Sequence, residues 1–109
     1  MHRLTASIAV LTSALVCHGP ARAAEVLVTK AYAACKDPAT VEKFEEFERN
    51  DNDQGYKRLY FETGATRECI FLRSNEILSV GETRGRWICI KESERASCYW
   101  TAQEAVRPR

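Results

Sequence analysis

Four of the five cysteines of this chain lie within residues 35–98, and they restrict the folds that it can adopt. They are Cys35, Cys69, Cys89 and Cys98. An even number of cysteines in a short exported chain is typical of a disulfide framework, so two disulfides are expected. A small domain buries a limited fraction of its surface, and each bridge adds about 2–4 kcal/mol by restricting the unfolded chain. The spacings lack the C-x-x-C pattern of redox pairs and zinc knuckles, which favours structural disulfides.

The first 23 residues predict export. A basic start at residues 1–3 precedes an uncharged run at 4–16 and the small-residue triplet Ala21-Arg22-Ala23. These are the three parts of a secretory signal peptide, with cleavage expected after Ala23. The run is shorter than the roughly 20 apolar residues that span a bilayer, so no stable membrane anchor is expected after cleavage.

Two alternatives concern this processing. Cleavage after Ala24 is close in preference to cleavage after Ala23. A lipid anchor on Cys17 is disfavoured, because Val16 stands where a lipoprotein signal has a small residue.

Cleavage after Ala23 leaves a single predicted domain at residues 24–109, periplasmic or secreted. Both histidines, His2 and His18, are removed with the signal peptide. The loss of Arg3 and Arg22 leaves 14 of 16 basic residues against 15 acidic ones, a net charge of −1. A chain so close to neutrality has no strong electrostatic reason to bind nucleic acid.

Two helices are predicted within about residues 37–63. Asp37 and Pro38 suit the cap and the first position of a helix at 38–49. Its apolar residues recur at steps of three, and its glutamates lie mostly on the other side. A second helix is expected at 54–63, with Gly64 ending it.

The pattern after Gly64 is that of short strands. Apolar runs at residues 69–72, 77–80, 87–90 and 97–100 are separated by turns, of which 81–85 is framed by two glycines. This spacing predicts a meander or a small barrel over about residues 67–106. Residues 24–34 read as a short edge strand or an extended lead-in, and Thr101 as the cap of a last helical turn at 102–106.

The last hairpin favours one of the three possible disulfide pairings. If its turn is centred on residues 92–95, Cys89 lies opposite Cys98 and Trp87 lies opposite Trp100. Opposed residues on antiparallel strands are close enough for a disulfide after small adjustment. We therefore prefer Cys89–Cys98, which leaves Cys35 to pair with Cys69.

A family resemblance follows from three segments. The run CIFLRSNEILSVGE at 69–82, the run GRWICIK at 85–91 and the CYWT element at 98–101 resemble the SH3-like domains of exported bacterial proteins. Residues 34–106 also resemble small secreted proteins of alphaproteobacteria in which helices precede such a barrel. The resemblance implies an α+β fold with two N-terminal helices followed by a small antiparallel SH3-like β-barrel, stapled by disulfides. It implies a binding or scaffolding module without catalytic residues.

The residues themselves also argue against catalysis. Without histidine the commonest general base is missing, and no nucleophile, cofactor or metal motif occurs. Residues 50–55 begin like a calcium loop, but Phe61 stands where a bidentate carboxylate is needed. The adjacent Glu45 and Glu46 are expected to lie on a solvated helix face. The sequence therefore predicts no catalytic residues, no metal site and no cofactor.

The aromatic residues of the last hairpin are the candidate ligand-binding residues. Trp87, Tyr99 and Trp100 form either an aromatic groove for an extended ligand or part of the core. Arg84 and Arg86 beside them favour an acidic or polar ligand. The predicted function is a non-catalytic binding module of the cell envelope, with a protein or an envelope polymer as partner. The alternative is a small secreted inhibitor of a host or competitor enzyme, which compactness and disulfides also suit and which a rigid protruding loop, such as residues 81–85, would favour.

Overall fold

A computed structural model of the chain describes residues 24–93 and 95–109. The predicted signal peptide and the rival anchor at Cys17 lie outside the described residues.

The described chain contains two helices and seven strands. The helices are α1 (Pro38–Arg49) and α2 (Asp53–Ala65). The strands are β1 (Ala24–Val28), β2 (Tyr32–Cys35), β3 (Cys69–Leu72), β4 (Ile77–Arg84), β5 (Trp87–Lys91), β6 (Tyr99–Ala102) and β7 (Val106–Pro108). A 3-10 turn (Gln103–Ala105) joins the last two strands.

Local capping explains where both helices begin. The Asp37 carboxylate accepts a hydrogen bond of 2.9 Å from the Ala39 N–H, and Pro38 occupies the first turn, which confirms the predicted start of α1. The Asn52 side chain accepts a bond of 2.9 Å from the Gly55 N–H and caps α2. Asn52, which lies in the segment at residues 50–55 that begins like a calcium loop, thus serves as a helix cap. The prediction that Gly64 ends α2 is wrong, because the helix continues to Ala65.

The strands form one open antiparallel sheet in the order β3-β2-β6-β5-β4-β1-β7. The predicted SH3-like barrel is therefore wrong, because β3 and β7 stand at the two ends of the order and do not pair with each other. Closure of a barrel requires the first and last strands to pair, and short apolar runs do not specify that pairing.

The helices are not N-terminal, which is a second correction. β1 and β2 precede α1 in the chain, so two strands come before the helices. Both are interior strands of the sheet: β1 lies between β4 and β7, and β2 lies between β3 and β6. The alternation of Val26 and Val28 is the signature of β1, and both side chains are buried. The segment read as an edge strand or lead-in therefore supplies two interior strands.

Apolar side chains are buried on both faces of the sheet. One face carries a cluster built by strands alone, with Val28, Leu72 and Ile90 among its members. On the other face Val41 and Phe44 of α1 are buried with Cys35 and Cys69, and α2 packs Tyr56 and Leu59 against this cluster. The helices contact mainly β2, β3 and β6, so the β4–β5 end of this second face extends beyond them.

Both preferred disulfides are present, Cys35–Cys69 and Cys89–Cys98. The predicted hairpin register is nevertheless wrong by two residues, because Cys89 lies opposite Trp100. Trp87 lies opposite Ala102 instead of Trp100. A shift of two residues keeps every side chain on its predicted face, and Cys98 reaches Cys89 diagonally.

Two further local predictions are corrected. Residues 81–84 belong to β4, so the turn between β4 and β5 consists of Gly85 and Arg86 alone. Gly85 has a φ of 61°, a conformation that glycine adopts without strain. Thr101 lies within β6 and donates its buried hydroxyl to the Ala33 carbonyl at 2.9 Å, so it caps no helix.

Candidate functional site

Two arginines cover two tryptophans at the end of the β4–β5 hairpin. The Arg84 guanidinium lies 4.5 Å from the centre of the Trp100 ring, and that of Arg86 lies 4.4 Å from Trp87. These distances are typical of cation–π contacts. We call these four residues the arginine–tryptophan face.

A β-bulge in β4 directs Arg84 onto this face. Val80 pairs with Ile90 and Thr83 pairs with Ile88, so two residues of β4, Gly81 and Glu82, oppose Cys89 alone. The extra residue exchanges the faces of the residues that follow it. Arg84 consequently becomes the cross-strand partner of Trp87 and turns toward Trp100.

The structure separates the three aromatics that the sequence grouped together. Tyr99 is buried on the opposite face, where its hydroxyl donates to the Arg67 carbonyl at 2.7 Å. Trp100 is only 6% exposed and lies beneath Arg84. Trp87 is half-buried. No open aromatic groove is formed by Trp87, Tyr99 and Trp100, and the accessible groups of the site are the guanidiniums of Arg84 and Arg86.

Arg84 and Arg86 differ in how firmly they are held. Arg86 donates two hydrogen bonds to Glu45, from Nη1 to Oε1 at 3.0 Å and from Nη2 to Oε2 at 2.6 Å. Its Nη2 also lies 3.4 Å from Glu104. Arg84 has a single ion pair within the described chain, with Glu82 at 3.5 Å, and both of those side chains are largely exposed. Arg86 is therefore anchored, whereas Arg84 is held by one exposed ion pair and by its contact with Trp100.

Glu45 connects three parts of the fold through its carboxylate. Besides the two bonds from Arg86, it accepts a hydrogen bond from the Tyr32 hydroxyl at the start of β2. Its side chain is only 12% exposed, although it belongs to the acid-rich helix α1. A single carboxylate thus joins α1 to β2 and to the β4–β5 turn.

The ionisation of this cluster follows from these contacts. Hydrogen bonding from Arg86 is the main cause that lowers the pKa of Glu45 below its usual range. Burial, with the hydrogen bond to Glu45 as the next cause, raises the pKa of Tyr32. The hydrogen bond to Glu45 raises the pKa of Arg86. At neutral pH the cluster consequently holds an ionised glutamate, a neutral tyrosine and a charged arginine.

An open cavity of about 380 Å³ lies on the outer side of this cluster, and we call it the rim cavity. Three basic side chains, three carboxylates and one phenol line it. They are Lys30, Arg49 and Arg86; Glu45, Glu48 and Glu104; and Tyr32. Its formal charges therefore cancel.

The sequence pointed to Arg84, Arg86 and the tryptophans but not to Glu45 or Tyr32. Glu45 was expected on a solvated face, an expectation that holds for the exposed Glu46. The signal that finds Glu45 is its position four residues after the buried Val41, on the same side of α1. Tyr32 carries no such signal, since its role depends on the packing of α1 over β2.

The two disulfides indicate an oxidising compartment. Among residues 24–93 and 95–109, no helix is long and apolar enough to span a bilayer. No protein-family model, curated protein or solved structure gives a significant match to the chain.

Proposed function

We propose that this protein is an exported, non-catalytic binding module of the cell envelope, periplasmic or secreted. Its ligand is an acidic group on a protein or an envelope polymer, held at the arginine–tryptophan face. The disulfides support an oxidising compartment, and the predicted signal peptide supports export.

The observation that carries this proposal is the stacking of two exposed guanidiniums on two tryptophans. The side chain of Arg84 is 65% exposed and that of Arg86 is 45% exposed. A guanidinium that lies over a ring keeps its N–H donors in its own plane, so those of Arg84 remain open to a carboxylate or phosphate, whereas those of Arg86 are occupied by Glu45. Stacking also restricts the side chain before the ligand arrives, which reduces the entropy lost on binding.

Arg84 is the principal ligand contact in this proposal. Its pair with Glu82 joins two exposed groups, and such a pair contributes about 0–1 kcal/mol. An acidic ligand therefore displaces Glu82 at little cost. Arg86 keeps its bonds to Glu45, and because that ion pair is neutral overall, its part is to hold the β4–β5 turn beside α1.

The chemistry of the cluster supports binding over catalysis. A glutamate whose pKa is lowered by Arg86 is a weak base, and a tyrosine whose pKa is raised is a weak acid at neutral pH. Residues 24–109 also contain no histidine. These groups are suited to fixing the position of Arg86.

The inhibitor alternative depended on a protruding loop at residues 81–85. Four of those five residues belong to β4, and Arg84 pairs with Trp87 across the hairpin. The disulfides suit either function, and we propose the binding module because the arginine–tryptophan face favours it.

Chemical cross-linking of the tagged protein in its native envelope, followed by mass spectrometry, tests the proposal. We expect repeated capture of one protein or of one wall polymer. Arg84→Gln should abolish the capture, whereas Arg107→Gln, which alters an exposed arginine on β7, should preserve it. Capture that is unchanged by Arg84→Gln would exclude the arginine–tryptophan face as the binding surface.

A further inference from the structure

The rim cavity carries a second inference, which concerns a different set of side chains. It shares only Arg86 with the arginine–tryptophan face. Its volume of about 380 Å³ falls within the range of small-molecule sites, about 300–1,000 Å³. Three positively charged and three negatively charged side chains line it.

The charges of the cavity fall into a fixed floor and an adjustable rim. Glu45, Arg86 and Tyr32 form the floor, because the carboxylate of Glu45 is mostly buried and bonded to both of the others. Lys30 and Glu104 face each other on the rim at 3.3 Å, and Glu104 also lies 3.4 Å from Arg86 Nη2. Their side chains are more than half exposed, so this pair is weak and a ligand can replace it.

Glu48 and Arg49 complete the rim from the C-terminal end of α1. Neither forms an ion pair with another residue in the described part of the chain, and both are exposed. Arg49 lies close enough to Glu45 to help lower the pKa of that carboxyl. The rim thus offers two cations and two carboxylates that are unpaired or easily separated.

We infer that the rim cavity binds a short zwitterionic peptide, one that carries both a free ammonium and a free carboxylate. The carboxylate of such a ligand is matched by Lys30 and Arg49, and its ammonium by Glu48 and Glu104. A purely anionic or cationic ligand satisfies half of the rim and meets like charges in the other half. The Lys30 ammonium lies 5.3 Å from the centre of the Tyr32 ring, so the ring also offers a face to the ligand's ammonium when Lys30 turns toward the carboxylate.

The ligand has two sources, a free short peptide or the peptide portion of an envelope polymer. Both present the same ammonium and carboxylate chemistry. The proposal does not depend on the arginine–tryptophan face, because Arg84 and Trp100 lie outside the cavity lining.

The test is an NMR titration of the purified exported protein with four forms of one dipeptide. These are alanyl-alanine, its N-acetyl form, its C-terminal amide, and the form blocked at both ends. We expect alanyl-alanine to give saturable shifts of the amide signals of Tyr32 and Arg49. Blocking either end should weaken binding by about tenfold or more. Equal shifts from all four peptides, or none from alanyl-alanine, would overturn the inference.

Matched variants separate a role in binding from a role in folding. Glu48→Gln and Arg49→Gln alter exposed side chains on the cavity rim, so they should weaken alanyl-alanine binding and leave the protein folded. Glu46→Gln and Lys43→Gln alter the same helix outside the cavity and should bind normally. Retention of the dipeptide shifts in both rim variants would contradict the assignment.

A sedimentation assay with purified cell-wall polymer distinguishes the two sources. Co-sedimentation that alanyl-alanine inhibits identifies the polymer's peptide portion as a ligand. Dipeptide binding without co-sedimentation identifies free peptides. The sedimentation assay is run with the Arg84→Gln protein, which removes polymer binding through the arginine–tryptophan face. Its outcome, like that of the dipeptide titration, is then independent of the cross-linking experiment.

Discussion

Trp100 lies directly opposite Cys89 across the β5–β6 ladder, and on its other side it lies opposite Cys35 on β2. Each of these cysteines forms one of the two disulfides. The indole therefore stands between the two cross-links on the helix side of the sheet. Arg84 covers it from the solvent side. Trp100, the most buried residue of the arginine–tryptophan face, is thus also part of the region that the two disulfides hold together.

Trp100→Ala should lower the free energy of unfolding by about 3–5 kcal/mol, because it removes a large side chain that is only 6% exposed. Trp87→Ala should cost less, since Trp87 is half-buried. Denaturation followed by circular dichroism, with the disulfides intact, measures both. If the Trp100 variant is too unstable to purify, Trp100→Phe should show a smaller loss. Equal costs at positions 87 and 100 would contradict the central position of Trp100.

Glu45→Gln should lower the free energy of unfolding by about 1–3 kcal/mol, because it removes the charge from a mostly buried acceptor of three hydrogen bonds. Glu46→Gln is the matched control on the same helix. Its side chain is exposed, so the change should stay within about 0.5 kcal/mol. A double-mutant cycle with Arg86→Gln should show coupling between positions 45 and 86 and none between 46 and 86.

The stabilisation from Glu45 should depend on acid pH. Because the folded-state pKa of Glu45 is lowered, mainly by the hydrogen bond from Arg86, its contribution is complete above the ordinary glutamate pKa. The contribution is lost as the pH falls through the folded-state pKa. The stability difference between wild type and Glu45→Gln should stay constant from neutral pH to about pH 5 and shrink below it. A difference that is unchanged in acid would show that the charge of Glu45 does not matter.

Tyr32 should make the stability of the protein depend on pH in the alkaline range. Burial is the largest cause of its raised pKa, and the hydrogen bond to Glu45 is the next. The folded protein therefore keeps the Tyr32 proton at a pH where the unfolded chain loses it, and stability falls as the pH rises above about 10. Tyr32→Phe should reduce this fall, whereas replacement of the exposed Tyr60 by Phe should leave it in place. Denaturation at pH values on both sides of the ordinary tyrosine pKa measures the effect.

Local sequence signals were sufficient for α1, and the preferred disulfide pairing is present although the register that favoured it is wrong. Asp37 and Pro38 determine where α1 begins, and the alternation around Cys89 places that residue on the correct face. The register could not be predicted, because a shift of two residues leaves the faces unchanged. The length of the connection decides it instead: β5 ends at Lys91 and β6 begins at Tyr99, so the loop is longer than the turn at residues 92–95 that the sequence suggested.

Long-range pairing accounts for the errors in the fold. β1 pairs with β4 and with β7, at separations that no local pattern encodes. The position of Arg84 in the site was predicted, but its orientation depends on a bulge that gives no sequence signal beyond Gly81. The anchoring of Arg86 depends on the approach of α1 to the β4–β5 turn. Residue types therefore indicated the candidates, and packing decided which of them are accessible.

Alanine substitutions at Gly81, in the bulge of β4, and at Gly64, in α2, should change the free energy of unfolding in opposite directions. A Cβ added at Gly81 would lie 2.9 Å from Cys89 Sγ and 3.4 Å from its Cβ. That sulfur is held in a disulfide and cannot turn away, so Gly81→Ala should lower the free energy of unfolding by about 1–3 kcal/mol. A Cβ at Gly64, within α2, meets only Phe71 at 3.6 Å, an ordinary contact. Gly64→Ala should therefore raise stability by about 0.5–1 kcal/mol, because alanine favours the helix. Chemical denaturation of both variants measures the sign of each change in the free energy of unfolding. A Gly81→Ala variant as stable as the wild type would show that β4 does not pack against the Cys89–Cys98 disulfide.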